Sequence, residues 1–162
     1  MTINADNIDQ LNATFQDKEP RDILKTVLGD IDNICVSFSG AEDVALVIMA
    51  WKLRKDIPVF TLDTGRLHPE TYAFIEKIRK AYDLNLTILS PDTQALQKLT
   101  REKGLFSFYQ DGHEECCGIR KTEPLRRQLA QYDAWITGQR KDQSPTRADV
   151  PVAQPVSYTH LT

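Results

Sequence analysis

Short apolar runs alternating with helix-period segments constrain this chain more than any other feature. The stretch Asn33 to Phe38 is apolar and β-rich and runs into Ser39-Gly40, after which Val44, Val47, Ile48 and Trp51 trace one helix face. Leu46, Met49, Ala50 and Leu53 make the other side apolar too, so this helix should be covered by more than the sheet. The pattern then repeats. Pro58 to Leu62 predicts a strand, Asp63 to His68 a loop, and Pro69 to Tyr82 a helix with Phe74, Ile75, Ile78 and Tyr82 inward. A third strand is expected at Leu84 to Leu89, and Ser90-Pro91-Asp92 supplies turn and cap chemistry for a helix that carries Leu96 and Leu99 and ends near Gly104. A less regular segment follows, Pro124 restarts a helix through Leu125 and Leu129, and Ala134 to Thr137 forms a further strand. Ahead of all this, Ile23, Leu24, Val27 and Leu28 predict a helix behind Pro20, a residue suited to a first helical turn. Alternation of this kind implies right-handed βαβ units and an α/β fold: a mostly parallel, twisted sheet with helices on both faces.

Size and charge narrow the function classes. With 162 residues and a 41% hydrophobic fraction the chain is sized for one domain with a core. Twenty Lys and Arg against 23 Asp and Glu give a formal charge of -3, so no global basic field argues for nucleic acid or an acidic membrane. The apolar run Val44 to Trp51 is far below the roughly 20 residues of a membrane helix, and the acidic, polar N-terminus lacks a signal peptide's basic and apolar regions. The expected protein is soluble and cytoplasmic. Three cysteines are too few for a disulfide scaffold, so each thiol reads as buried, metal-binding or catalytic.

In a parallel sheet the ligand lies outside the carboxyl ends of the strands, where strand order reverses. Three loops should therefore line one crevice: Ser39 to Asp43, Asp63 to His68, and Gly138 to Arg147. The first feeds a helix N-terminus, which serves either as an anion site or as a strand-to-helix turn capped by Ser39 or Asp43. In the second, Asp63-Thr64-Gly65-Arg66 reads as a turn and His68 as a capping or exposed histidine rather than a catalyst. The third concentrates Arg140, Lys141 and Arg147 between glycine and proline, a plausible clamp for a doubly charged ligand.

Cys116-Cys117 is followed by Gly118-Ile119-Arg120-Lys121, whose two cations would stabilise thiolates for metal or redox chemistry. Cys35 belongs to the first strand and reads as a buried small hydrophobe. A cubane iron–sulfur cluster takes four thiolates, so two would have to come from elsewhere.

Four motifs in order carry a family resemblance: Phe38-Ser39-Gly40-Ala41-Glu42-Asp43, Leu62-Asp63-Thr64-Gly65-Arg66-Leu67-His68-Pro69-Glu70-Thr71, Glu115-Cys116-Cys117-Gly118-Ile119-Arg120-Lys121, and Gly138 to Arg147. Together they resemble the assimilatory adenylylsulfate reductases among the sulfonucleotide reductases. The resemblance implies an adenine nucleotide α-hydrolase-like fold, bound adenosine 5′-phosphosulfate and a [4Fe-4S] cluster. It makes Ser39, Gly40, Glu42, Asp43, Leu62, Asp63, Thr64, Gly65, Gly138, Arg140, Lys141 and Arg147 substrate-binding residues, with the first loop and the Asp63 loop at the adenosine and Arg140, Lys141 and Arg147 at the phosphosulfate. Cys116 and Cys117 become cluster ligands, with Lys121 offsetting the cluster's charge. Reductases that use the 3′-phosphorylated nucleotide typically lack the cysteine pair, which points to the unphosphorylated substrate. The implied chemistry is attack by a C-terminal cysteine on the sulfur, departure of AMP, and release of sulfite by thioredoxin or glutaredoxin, within sulfate assimilation and cysteine biosynthesis. A homo-oligomer remains open.

The sequence departs from that family in lacking a downstream Cys-x-x-Cys and a C-terminal cysteine. Pro155 to Thr162 looks like the translation of a sequencing adapter, so residues 1–154 are expected to be the N-terminal part of a sulfonucleotide reductase domain, truncated, with 155–162 a non-native tail. No catalytic residue is assigned within this chain, which is expected to be inactive by itself. Two further readings share the observations: an ATP-pyrophosphatase-type adenylating enzyme such as a sulfate adenylyltransferase subunit, and a non-catalytic nucleotide- or metal-binding module. ATP-pyrophosphatase relatives usually carry glycine, lysine and serine where this chain has Ala41, Glu42 and Val44, and an acidic residue there disfavours a triphosphate tail.

Overall fold

The computed structural model describes residue 3 and residues 5–156. The last six residues of the predicted tail, 157–162, lie outside the described residues. Helices α1 (Ile8–Phe15) and α2 (Pro20–Asp30) precede strand β1 (Ile34–Ser37), and α3 (Val44–Leu53) leads into β2 (Val59–Leu62). Then come α4 (Pro69–Tyr82), β3 (Leu86–Leu89), α5 (Thr93–Lys103), the single turns α6 (Ser107–Gln110) and α7 (Glu114–Cys117), α8 (Glu123–Leu129) and β4 (Ala134–Ile136). The predicted α4 has the observed limits, and the strands are one to two residues shorter than predicted where a flanking residue falls outside the ladder.

Among the described residues the four strands form one parallel sheet in the order β3-β2-β1-β4. The chain builds outward from β1 through β2 to β3, then returns to the other side of β1. Strand order therefore reverses between β1 and β4, and the loops after β2, β1 and β4 leave the same sheet edge in a row.

Alternation along β1 divides the core. Ile34, Val36 and Phe38 face a cluster with Leu28, Val47, Ala50, Ile75 and Ile78 from α2, α3 and α4. Cys35 faces the opposite side, where Phe60 and Leu129 are buried with Leu125, Tyr132 and Trp135 packed against them. Both faces carry helices, as expected. Ala50 is fully buried and Trp51 stacks edge-on against Tyr82, so α3 is covered by more than the sheet, although Leu53 is exposed.

Local chemistry sets the element ends. The Asp92 carboxylate accepts a hydrogen bond from the Ala95 N–H at 2.8 Å, capping α5, and Gly104 ends it at φ +73, a conformation that favours glycine. Asn12 in α1 exchanges two 2.8 Å hydrogen bonds with the backbone of Ala153, tying the first helix to the last described segment.

The helix expected to restart at Pro124 is observed as α8, but the segment before it, predicted to be irregular, is helical from Glu114 onward: α7 runs into α8 through a π-helical stretch at Gly118–Thr122, one continuous run from Glu114 to Leu129. The π register explains why Pro124 does not break it. The Glu123 N–H reaches back five residues to the Gly118 carbonyl, and the proline that follows has no N–H to place.

Candidate functional site

The loops after β1 and β4 meet at the point of strand reversal. Asp43, 5% exposed, accepts from the Ser39 backbone N–H at 2.7 Å and from the Ser39 hydroxyl at 2.5 Å, closing the first loop on itself. Gly138 lies directly against that carboxylate: a Cβ there would sit 2.1 Å from Asp43 Oδ1. Ser39, Gly40, Asp43 and Gly138 thus form one packed unit, and Gly138 is required by a close approach.

Glu42 joins the two loops from outside. Its Oε2 accepts from Arg140 Nη2 at 3.1 Å and from Gln143 Nε2 at 3.2 Å. Arg140 also donates to Asp142 at 3.2 Å, and Asp142 and Glu42 together hold its guanidinium above the ordinary arginine value. Arg147 Nη1 donates to Gln143 Oε1 at 2.5 Å, while Lys141 stands exposed in the short turn Lys141–Gln143. The helix start before α3 is a 3-10 turn at Ala41–Asp43 with two carboxylates in it. Those charges complement the helix dipole and oppose a second anion at the same N-terminus.

The Asp63 turn follows β2 and is built from its own side chains. Asp63 Oδ1 accepts from the Gly65 N–H at 2.8 Å and from the Tyr72 hydroxyl at 2.7 Å, and Thr64 Oγ1 accepts from the Arg66 N–H at 3.3 Å. The bond to Asp63 raises the Tyr72 phenol above its usual value. Leu62 ends β2 half-buried, and His68 flanks the N-terminus of α4 with extended backbone and no side-chain cap bond. The long-range tie of this turn runs to the cysteine segment: buried Arg120 donates from Nη1 to the Thr64 carbonyl at 2.6 Å. Tyr72, Gln143 and this role of Arg120 were missed by sequence reasoning. Only Arg120 left a signal, as a cation beside the cysteines.

Cys116 is buried at 4% exposure, and Cys117 is half-buried in the wall of a cavity shared with His113, Gly118, Thr122 and Arg126. Lys121 is exposed one residue beyond Arg120. Among the described residues no group of three or more His, Cys, Asp or Glu side chains is placed to hold a metal ion. Two adjacent thiols on one helical turn fit half of a four-thiolate set and do not complete it. Cys35 is no candidate for the remainder: it is fully buried in β1, and burial pushes its thiol up to about 12.

Residues 33–160 match the phosphoadenosine phosphosulfate reductase domain family. The chain belongs to that family. Within this reductase family it is 58% identical over 146 residues to the adenosine 5′-phosphosulfate reductase of Pseudomonas aeruginosa, a match covering 89% of this chain and 55% of that protein. It is 47% identical over 154 residues to a chloroplastic 5′-adenylylsulfate reductase of Arabidopsis thaliana, covering 94% and 33%. The chain thus spans about half the length of the bacterial relative and a third of the plant one. A crystal structure of phosphoadenylyl-sulfate reductase from Candida auris superposes with a TM-score of 0.73 at 24% identity, covering 88% of this chain and 71% of that one. That likeness shows the shared fold, the one expected from the four motifs.

Proposed function

We propose that the protein binds adenosine 5′-phosphosulfate in the crevice between the β1 and β4 loops and takes part in its reduction to sulfite and AMP in cytoplasmic sulfate assimilation. The observation that carries this reading is the 58% identity to a protein named for that reaction, in a chain that has the Cys116-Cys117 pair. Ser39, Gly40 and the Asp63-Thr64-Gly65 turn would hold the adenosine, and Arg140, Lys141 and Arg147 would face the phosphosulfate. In the reaction a cysteine thiolate bonds to the sulfur, the S–O bond to phosphate breaks, and AMP leaves with the negative charge that the β4-loop cations stabilise. The cysteine S-sulfonate is then reduced by a dithiol such as thioredoxin, which becomes a disulfide as sulfite departs.

A [4Fe-4S] cluster held by Cys116, Cys117 and two further thiolates would supply electrostatic and structural support beside the substrate, with Lys121 offsetting its charge. Of the three thiols in this sequence, Cys35 is locked in the sheet and the other two are assigned to the cluster, so the 162-residue chain is expected to bind nucleotide without releasing sulfite. Calorimetric titration with the phosphosulfate, its 3′-phosphorylated analogue, AMP and ATP, alongside a sulfite assay with thioredoxin, tests the reading. The phosphosulfate and AMP should bind, ATP at least about tenfold more weakly, with no sulfite formed. ATP binding as tight as the phosphosulfate would favour an adenylating enzyme.

A further inference from the structure

Among the described residues Arg120 is the only buried cation, 7% exposed. Its ion pairs are absent among the described residues, and its Nε–H is buried without an acceptor. A buried charge left in this state is costly and calls for a reason other than stability.

Position supplies the reason. Arg120 stands in the π-helical stretch Gly118–Thr122, four residues after buried Cys116 and three after half-buried Cys117. Its guanidinium crosses to the turn after β2 and donates to the Thr64 carbonyl at 2.6 Å, joining residues 56 apart in sequence. The turn is shaped to receive it. Gly65 has φ +69, and a Cβ there would lie 3.2 Å from Arg120 Nη1, so the turn leaves the guanidinium the space a side chain at this position would crowd. A π insertion in a helix re-aims the side chains that follow and is common at functional sites.

We propose that Arg120 is a positioning residue, a strut that couples the Asp63–Gly65 turn to the cysteine segment, so that a change at the turn alters the setting of Cys117. The proposal rests on the nucleotide reading only for what fills the turn. The test is a double-mutant cycle on the 162-residue chain, read as the rate of Cys117 alkylation by iodoacetamide with the site located by peptide mass mapping. With no nucleotide present, Gly65→Ala strains the turn at its φ of +69 and crowds the guanidinium, and should raise that rate about threefold or more; with the link to the cysteine segment removed, it should add nothing in an Arg120→Gln background. Arg120→Lys, which keeps a donor and the charge, should restore part of the wild-type rate. Rates that multiply, or a Gly65→Ala rate equal to wild type, would overturn the strut. So would rates that merely follow melting midpoints by circular dichroism, with no rescue by lysine. In a second arm, saturating AMP should change the Cys117 rate in the wild type and not in Arg120→Gln. AMP that changes it equally in both overturns the coupling, whereas AMP that fails to bind the wild type sinks the nucleotide reading and leaves the cycle to decide the strut.

Discussion

At Gly138 a single missing methyl group lets two loops meet. Replacing it with alanine drives Cβ into the Asp43 carboxylate, which cannot retreat without giving up both bonds from Ser39. Gly138→Ala is therefore expected to destabilise the fold by about 1–3 kcal/mol, the usual cost of overpacking, and to lower AMP affinity; chemical denaturation and calorimetry check both. Cys35 makes the opposite point, that a reactive side chain can be silenced by place. With its thiol raised to about 12, it should resist iodoacetamide at neutral pH while Cys117 reacts, as intact-mass kinetics on the folded chain would show. The sign for stability follows: the folded state holds this proton more tightly than an unfolded thiol of value 9.0, so the contribution is complete below about 9 and is lost as pH rises towards about 12.

The elements carry the link between loops. Arg140 bridges the β4 loop to Glu42 beside α3, in an exposed ion pair of the kind that adds little stability. Arg140→Ala should shift Tm by less than about 3 °C and weaken binding of the phosphosulfate about tenfold, a split that thermal melts and titration would reveal. Unchanged binding would remove Arg140 from the site. The three loops were legible in the sequence because strand-helix alternation dictates which ends share a sheet edge, and α4 was legible to the residue because Pro69 opens it and its apolar spacing runs unbroken to Tyr82. The cysteine helix was not. Gly118 and Pro124 both signal interruption, and only a π register, which periodicity at 3.6 does not detect, lets the helix pass through them. The pairing of Glu42 with Arg140 was equally hidden, since charges 98 residues apart carry no local signature.

Across the whole molecule the two faces of the sheet are unequal. One is covered by α2, α3 and α4, while on the other Cys35 and Phe60 meet Leu129 of α8 in a smaller buried cluster with Leu89, Leu125, Tyr132 and Trp135 packed against it, and Ile88 on edge strand β3 is 52% exposed. Leu105, Phe106 and Tyr109 stand out from the segment between α5 and α7, whose base Lys103 clamps to Glu115 at 2.6 Å. Such exposure predicts binding of a hydrophobic dye by the folded chain at neutral pH, measured by fluorescence and abolished on full unfolding. The central claim is that nucleotide enters at the strand reversal between β1 and β4, and amide chemical-shift mapping of the isotope-labelled chain with AMP tests it most directly. The account predicts shifts concentrated at Ser39–Asp43, Asp63–Gly65 and Gly138–Arg147. Shifts confined instead to the surface cavity lined by Ser90, Asp92, Arg127 and Gln131, beyond the end of β3, would contradict it.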